Sequence, residues 1–178
     1  KGPQRPKLSS RFMIDAFIDA EEQVVFDEPF RKRVMMDLLP KKFQKKYLKQ
    51  LNAFSVMKRQ RAVSTVALIH ETYAVQALFK RFEKEKREAL KLDIAKVLMH
   101  YLDDTIFSSL MNSVTHHSEN YQNRMAVLMG NAYNQVEAHL KTYFNHPSYE
   151  VNRVIVKFAS FHTNMEYALY LDSLLAKI

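Results

Sequence analysis

Apolar side chains recur along this chain at the three- and four-residue spacing of a helix face. Phe12, Ala16, Phe17 and Ala20 form the first such stripe, with Asp15, Asp19 and Glu22 opposite, and Ser9 or Ser10 is a good N-cap before it. Asp27-Glu28-Pro29 opens a second helix, since proline suits the first turn. That helix must end before Pro40, because the residue preceding a proline is pushed out of the helical region. Pro40 itself begins a third helix, on which Phe43, Tyr47, Leu51 and Phe54 recur at spacings of 4, 4 and 3 and form the expected inward face. No Pro or Gly interrupts the chain from Val56 until Gly130, yet a single helix of that length is improbable. The charge-alternating stretch Glu83–Glu88 is therefore a solvated helix face or a turn, and the polar run Asn112–Asn123 is the best place for a later break. Asn145-His146-Pro147-Ser148 reads as a turn, with Ser148 capping a last helix.

A longer period overlies the helical one. Tyr73, Tyr101, Tyr133 and Phe161 stand at separations of 28, 32 and 28 residues. Aliphatic residues precede each of them (Leu68/Ile69, Val97, Leu128/Met129, Val156), and a second apolar group follows, such as Ile106, Phe107, Leu110 and Met111. The segments opening on Asn123-Arg124 and Asn152-Arg153 align best. Self-similarity of this kind is the mark of repeated helical hairpins. In these residues the chain resembles the pentatricopeptide and tetratricopeptide repeat families over roughly residues 62–178. That resemblance implies an all-α fold, a short α-solenoid-like array of three or four hairpins behind an N-terminal helical extension. The expected division is an extended basic arm over residues 1–8, N-terminal helices over 9–61 and repeats over 62–178.

Composition narrows the chemistry. The 178 residues include no Cys, which removes disulfides, thiolate zinc sites and a cysteine nucleophile. With only 2 Gly, the chain has no Gly-rich phosphate loop and few tight hairpins. No apolar run approaches the roughly 20 residues that span a bilayer. The seven His show no HExxH spacing, and no Glu precedes a His by three residues, so neither a metal nor another cofactor is expected. The nine Met read as core filler. With no nucleophile elbow or comparable signature, no catalytic residue is assigned, and the chain is expected not to be an enzyme.

Charge is more informative than its net value of +8. Residues 31–61 hold eleven cations against Asp37 alone: Arg31, Lys32, Arg33, Lys41, Lys42, Lys45, Lys46, Lys49, Lys58, Arg59 and Arg61. Residues 11–30, by contrast, are acidic. The basic stretch is thus the candidate contact patch, and it admits three partners. Clustered cations release counterions from RNA phosphates, an amphipathic basic helix can lie on anionic lipid, and complementary charge steers docking on an acidic protein surface. The repeat resemblance implies RNA binding as the family's usual activity, but three or four repeats would address only three or four bases. Stacked hairpins also give an extended face suited to protein docking. The favoured expectation is therefore an accessory subunit of a larger assembly, with an RNA-binding or mitochondrial ribosomal protein, or a peripheral membrane-surface helical protein, as the alternatives. A basic, Cys-free chain without a leading Met reads as a processed mitochondrial one. It is similar in size and style to the small pentatricopeptide-type subunits attached to the catalytic head of mitochondrial ATP synthase in some protists.

Overall fold

The computed structural model describes residues 10–21, 27–162 and 165–175. These residues form eleven α-helices and two 3-10 turns with no strand among them, so the chain is all-α. The expected arm over residues 1–8 lies outside the described residues. The chain divides into two compact units, Lys1–Leu78 and Phe79–Ile178.

The first unit holds α1 (Ser10–Glu21), α2 (Glu28–Leu38), α3 (Lys41–Gln50), α4 (Val56–Ala67) and the start of α5 (Thr72–Lys84). Local signals fix its helix ends as the sequence implies. The carboxylate of Asp27 accepts a hydrogen bond from the Phe30 N–H at 2.7 Å, α2 stops at Leu38, and Pro40 precedes α3. Helix α4 packs on α3 and on α1. Two apolar faces differ from expectation. On α1 the buried residues are Ile14 and Phe17, while Phe12 and Ala16 face outward. On α3 the buried stripe is Tyr47 and Leu51, and it stops there, because the helix ends at Gln50. Phe54 therefore falls in the following turn and is fully exposed, at 102%.

The second unit is built from hairpins: α6 (Glu88–Leu98) with α7 (Asp104–Val114), α8 (Glu119–Asn131) with α9 (Tyr133–Leu140), and α10 (Tyr149–Ala159) with α11 (Met165–Leu175). The first helices of the hairpins pack in order, α6 on α8 and α8 on α10, and the second helices α7 and α9 also meet. The N-cap positions Arg87, Ser118 and Ser148 stand 31 and 30 residues apart. Counting from them, the third, seventh and eleventh residues are buried in every hairpin: Leu90, Ile94 and Leu98, then Tyr121, Met125 and Met129, then Val151, Ile155 and Ala159. This four-residue periodicity is one helix face turned to a common core. The aromatic register proposed from sequence differs from it. Tyr101, Tyr133 and Phe161 lie at the turns between paired helices, whereas Tyr73 opens α5 in the first unit and donates to Gln44 Oε1 at 2.6 Å. Ser148 does cap a helix, accepting from the Val151 N–H, but that helix is α10 and α11 follows it.

Side chains also tie neighbouring hairpins together. Arg153 of α10 pairs with Glu119 of α8, and Lys157 donates to Asn123 Oδ1 at 3.1 Å. Gly130 lets the end of α10 approach α8, since a Cβ there would stand 3.3 Å from the Phe161 ring. Glu88 of α6 accepts from the backbone N–H of Ser118 at 2.7 Å and from its hydroxyl at 2.6 Å, while the Ser118 hydroxyl also caps α8. The Ser118 bonds hold the Glu88 carboxyl below the usual carboxylate range. Because the folded-state value lies below the unfolded one, this tie stabilises the fold above pH 4.5 and is lost as pH falls through the depressed value. Glu88→Gln should therefore flatten the acid limb of the thermal-midpoint profile, whereas a limb as steep as that of the unaltered chain would contradict the tie.

Candidate functional site

The basic stretch supplies the residues of the candidate site, and the structure divides them into three groups. Lys41, Lys42, Lys45, Lys46 and Lys49 are all exposed on α3. At about 100° per residue they occupy an arc of roughly 140°, on the side of the helix away from Tyr47 and Leu51. Arg33 and Lys58 are exposed as well. The side chains of Arg31 and Lys32 lie outside the described residues.

Two of the arginines have other tasks. Arg59 is buried, at 8% exposure, and its guanidinium Nη1 donates to the carbonyls of Ala53 at 3.0 Å and Phe54 at 2.8 Å. It thus ties down the α3–α4 turn and does not belong to an open cationic patch. A cation buried this way keeps its charge satisfied by the carbonyl dipoles of the turn. Arg61 pairs with Asp15 of α1 at 3.3 Å. Between α1, α3 and α4 lies an open cleft of about 730 Å³ with acidic residues on one wall, Asp15 and Asp19, and Lys46, Lys58 and Arg61 on the others. Met57 lines the same cleft and is 81% exposed.

The second unit presents smaller grooves. A groove between α6 and α8 is lined by Leu92, Asp93, Lys96, Arg124, Val127 and Leu128. Burial pushes the Asp93 carboxyl up, while Arg124 and Lys96 pull it down. Exposed apolar residues gather on the last hairpin: Tyr149, Val156, Phe161, Met165 and Leu169, the last two 82% and 63% exposed on one face of α11. Val127 is the exposed large hydrophobic residue of the earlier two hairpins.

No family model, curated protein or solved structure matches the chain.

The histidines are dispersed. His117 packs on Tyr121 and stands 3.6 Å from Glu88, and burial pushes its pKa down with help from Lys91. His139 meets Asp104 at 2.8 Å and stacks on Phe107. Among the described residues no three His, Asp or Glu gather in a way that would hold a metal ion. The sequence reading missed two features of the site: the outward Phe54 and the inward Arg59. Only the end of α3 at Gln50 separates them from the helical pattern, and no Gly or Pro marks that end.

Proposed function

We propose that this chain is a non-enzymatic helical-repeat subunit that docks on a larger protein assembly through its hairpin array. The observation that carries the reading is the contrast within the second unit. Hairpins that have a following neighbour expose little apolar surface, while the last one leaves Tyr149, Val156, Phe161, Met165 and Leu169 in solvent. Exposed apolar surface concentrated on one hairpin marks a contact with another protein, and stacked hairpins present faces suited to such docking. The partner surface expected there is apolar and helical. A mitochondrial assembly is the first place to look for it, the ATP synthase catalytic head among the candidates, on the strength of the size, basic charge and repeat-like pattern of the chain.

The test is co-purification of the intact chain from its native extract, read by mass spectrometry, beside the double variant Met165→Glu/Leu169→Glu. Both side chains are exposed, so the variant should keep its helical circular dichroism. We expect one stoichiometric companion protein with the unaltered chain and at least a tenfold loss of it with the variant, since two charges would enter an apolar contact. A chain recovered alone, or one whose companion is indifferent to the variant, would overturn the reading.

A further inference from the structure

The first unit carries a feature that the docking array does not use. At the α3–α4 turn, Phe54 is fully exposed and Met57 nearly so. The turn is held from beneath: Asn52 N–H bonds to the Lys49 carbonyl, Ala53 N–H to that of Gln50, and the buried Arg59 takes the carbonyls of Ala53 and Phe54. A fixed turn that thrusts an aromatic ring into water is costly unless the ring has an apolar medium to enter. Lys49 and Lys58 flank the turn in the chain and are exposed, Lys46 and Lys58 line the adjoining cleft with Met57, and the other exposed lysines of α3 continue the charge along the helix. No Asp or Glu occurs between Leu38 and His70, so the stripe carries no counter-charge of its own. Asp15 and Asp19 stand on the α1 wall of the cleft, where Arg61 pairs with Asp15.

We propose that this turn docks the chain on an anionic lipid bilayer, with Phe54 and Met57 entering the interface and the lysines of α3, with Lys58, meeting lipid phosphates. The combination favours lipid over nucleic acid, because a base offers a stacking face to Phe54 but nothing apolar to Met57. It favours lipid over a protein because a bilayer supplies both media with no dedicated pocket. Among the described residues no helix is long and apolar enough to cross a membrane, so the contact is peripheral. The proposal stands apart from the docking array, and each can fail without the other.

The chain contains no Trp, so Phe54→Trp places a single reporter at the tip. With phosphatidylserine-containing phosphatidylcholine vesicles at physiological salt, its emission should shift to the blue and the intact chain should sediment with the lipid. Phosphatidylcholine alone should do neither. The double variant Phe54→Ala/Met57→Ala should lower partitioning about tenfold or more, and Lys45→Gln or Lys49→Gln about fivefold each. All these side chains are exposed, so circular dichroism should stay unchanged. An unshifted emission, sedimentation independent of the anionic lipid, or a double variant that partitions like the unaltered chain would overturn the proposal. So would a chain that ignores the vesicles and holds polyuridylate at the same salt.

Discussion

Phe158→Ala is expected to destabilise the second unit by about 3–5 kcal/mol, the largest single effect in this molecule. Phe158 lies on α10 with no exposed surface. Its ring stacks on Tyr133 at the start of α9 with centroids 5.9 Å apart, meets Tyr167 of α11 edge-on at 5.6 Å and lies 4.9 Å from His162. One side chain thus joins the second hairpin to both helices of the third. Truncation would remove the transfer free energy of the ring and leave a cavity that three rigid aromatic neighbours are poorly able to close. Urea unfolding followed by circular dichroism should show the loss in the transition of the second unit. Phe158→Leu, which fills most of the space, should lose clearly less. A cost below about 1 kcal/mol for the alanine variant would mean that the hairpins are not coupled through this residue.

Glu85→Gln should cost nearly as much, about 3 kcal/mol, although the substitution is almost isosteric. Glu85 is buried between α5 and α6. Its Oε2 accepts from Arg81 Nε at 3.1 Å and Nη2 at 2.5 Å, and its Oε1 accepts from the backbone N–H groups of Lys86 and Arg87, both at 3.0 Å. The carboxylate therefore neutralises a half-buried guanidinium and satisfies backbone donors just before α6 begins. An amide would turn an NH₂ group toward Arg81, donor against donor, and leave that cation unpaired. Lys91 adds to the penalty. Burial pushes its ammonium below the usual lysine range, and Glu85, with Glu83, opposes that push. Its Nζ also lies 4.7 Å from the centre of the Phe82 ring. Thermal or urea unfolding of Glu85→Gln beside Arg81→Met/Glu85→Gln checks the reasoning. The double variant should recover part of the loss, because it removes the orphaned charge as well. If the single variant were as stable as the unaltered chain, the pair would be a surface contact in energetic terms.

The helix boundaries that the sequence made legible are those with their own local chemistry. Asp27 and Ser148 accept the backbone N–H groups three residues on, and Pro40 separates α2 from α3. The turn before Ser148 holds Asn145 in the left-handed region at φ 61°, a conformation that asparagine tolerates better than most residues. Breaks without such chemistry were hidden. The link Leu68–Glu71 between α4 and α5 contains no Gly or Pro, and neither does the turn that presents Phe54. The repeat register was half legible. Shared aromatics mark the hairpin turns at Tyr101, Tyr133 and Phe161, but the residues that align inside the core, Leu90, Tyr121 and Val151, share position and burial and no other likeness. The candidate contact patch was legible as a charge run and illegible in its detail. Periodicity reports which face of a helix is buried, and it cannot report that a turn after Gln50 sends Phe54 out and Arg59 in.

Cross-linking the intact chain within its native extract, with the linked peptides identified by mass spectrometry, tests the docking account most directly. Lys141, exposed just after α9, pairs with Glu166 of α11, which lies between Met165 and Leu169 in the chain, and Lys157 follows the exposed Val156 on α10. The account predicts links from these two lysines to one companion protein, and their disappearance in Met165→Glu/Leu169→Glu. Links that stay wholly within the chain, or that reach a companion only from the lysines of α3, would contradict it.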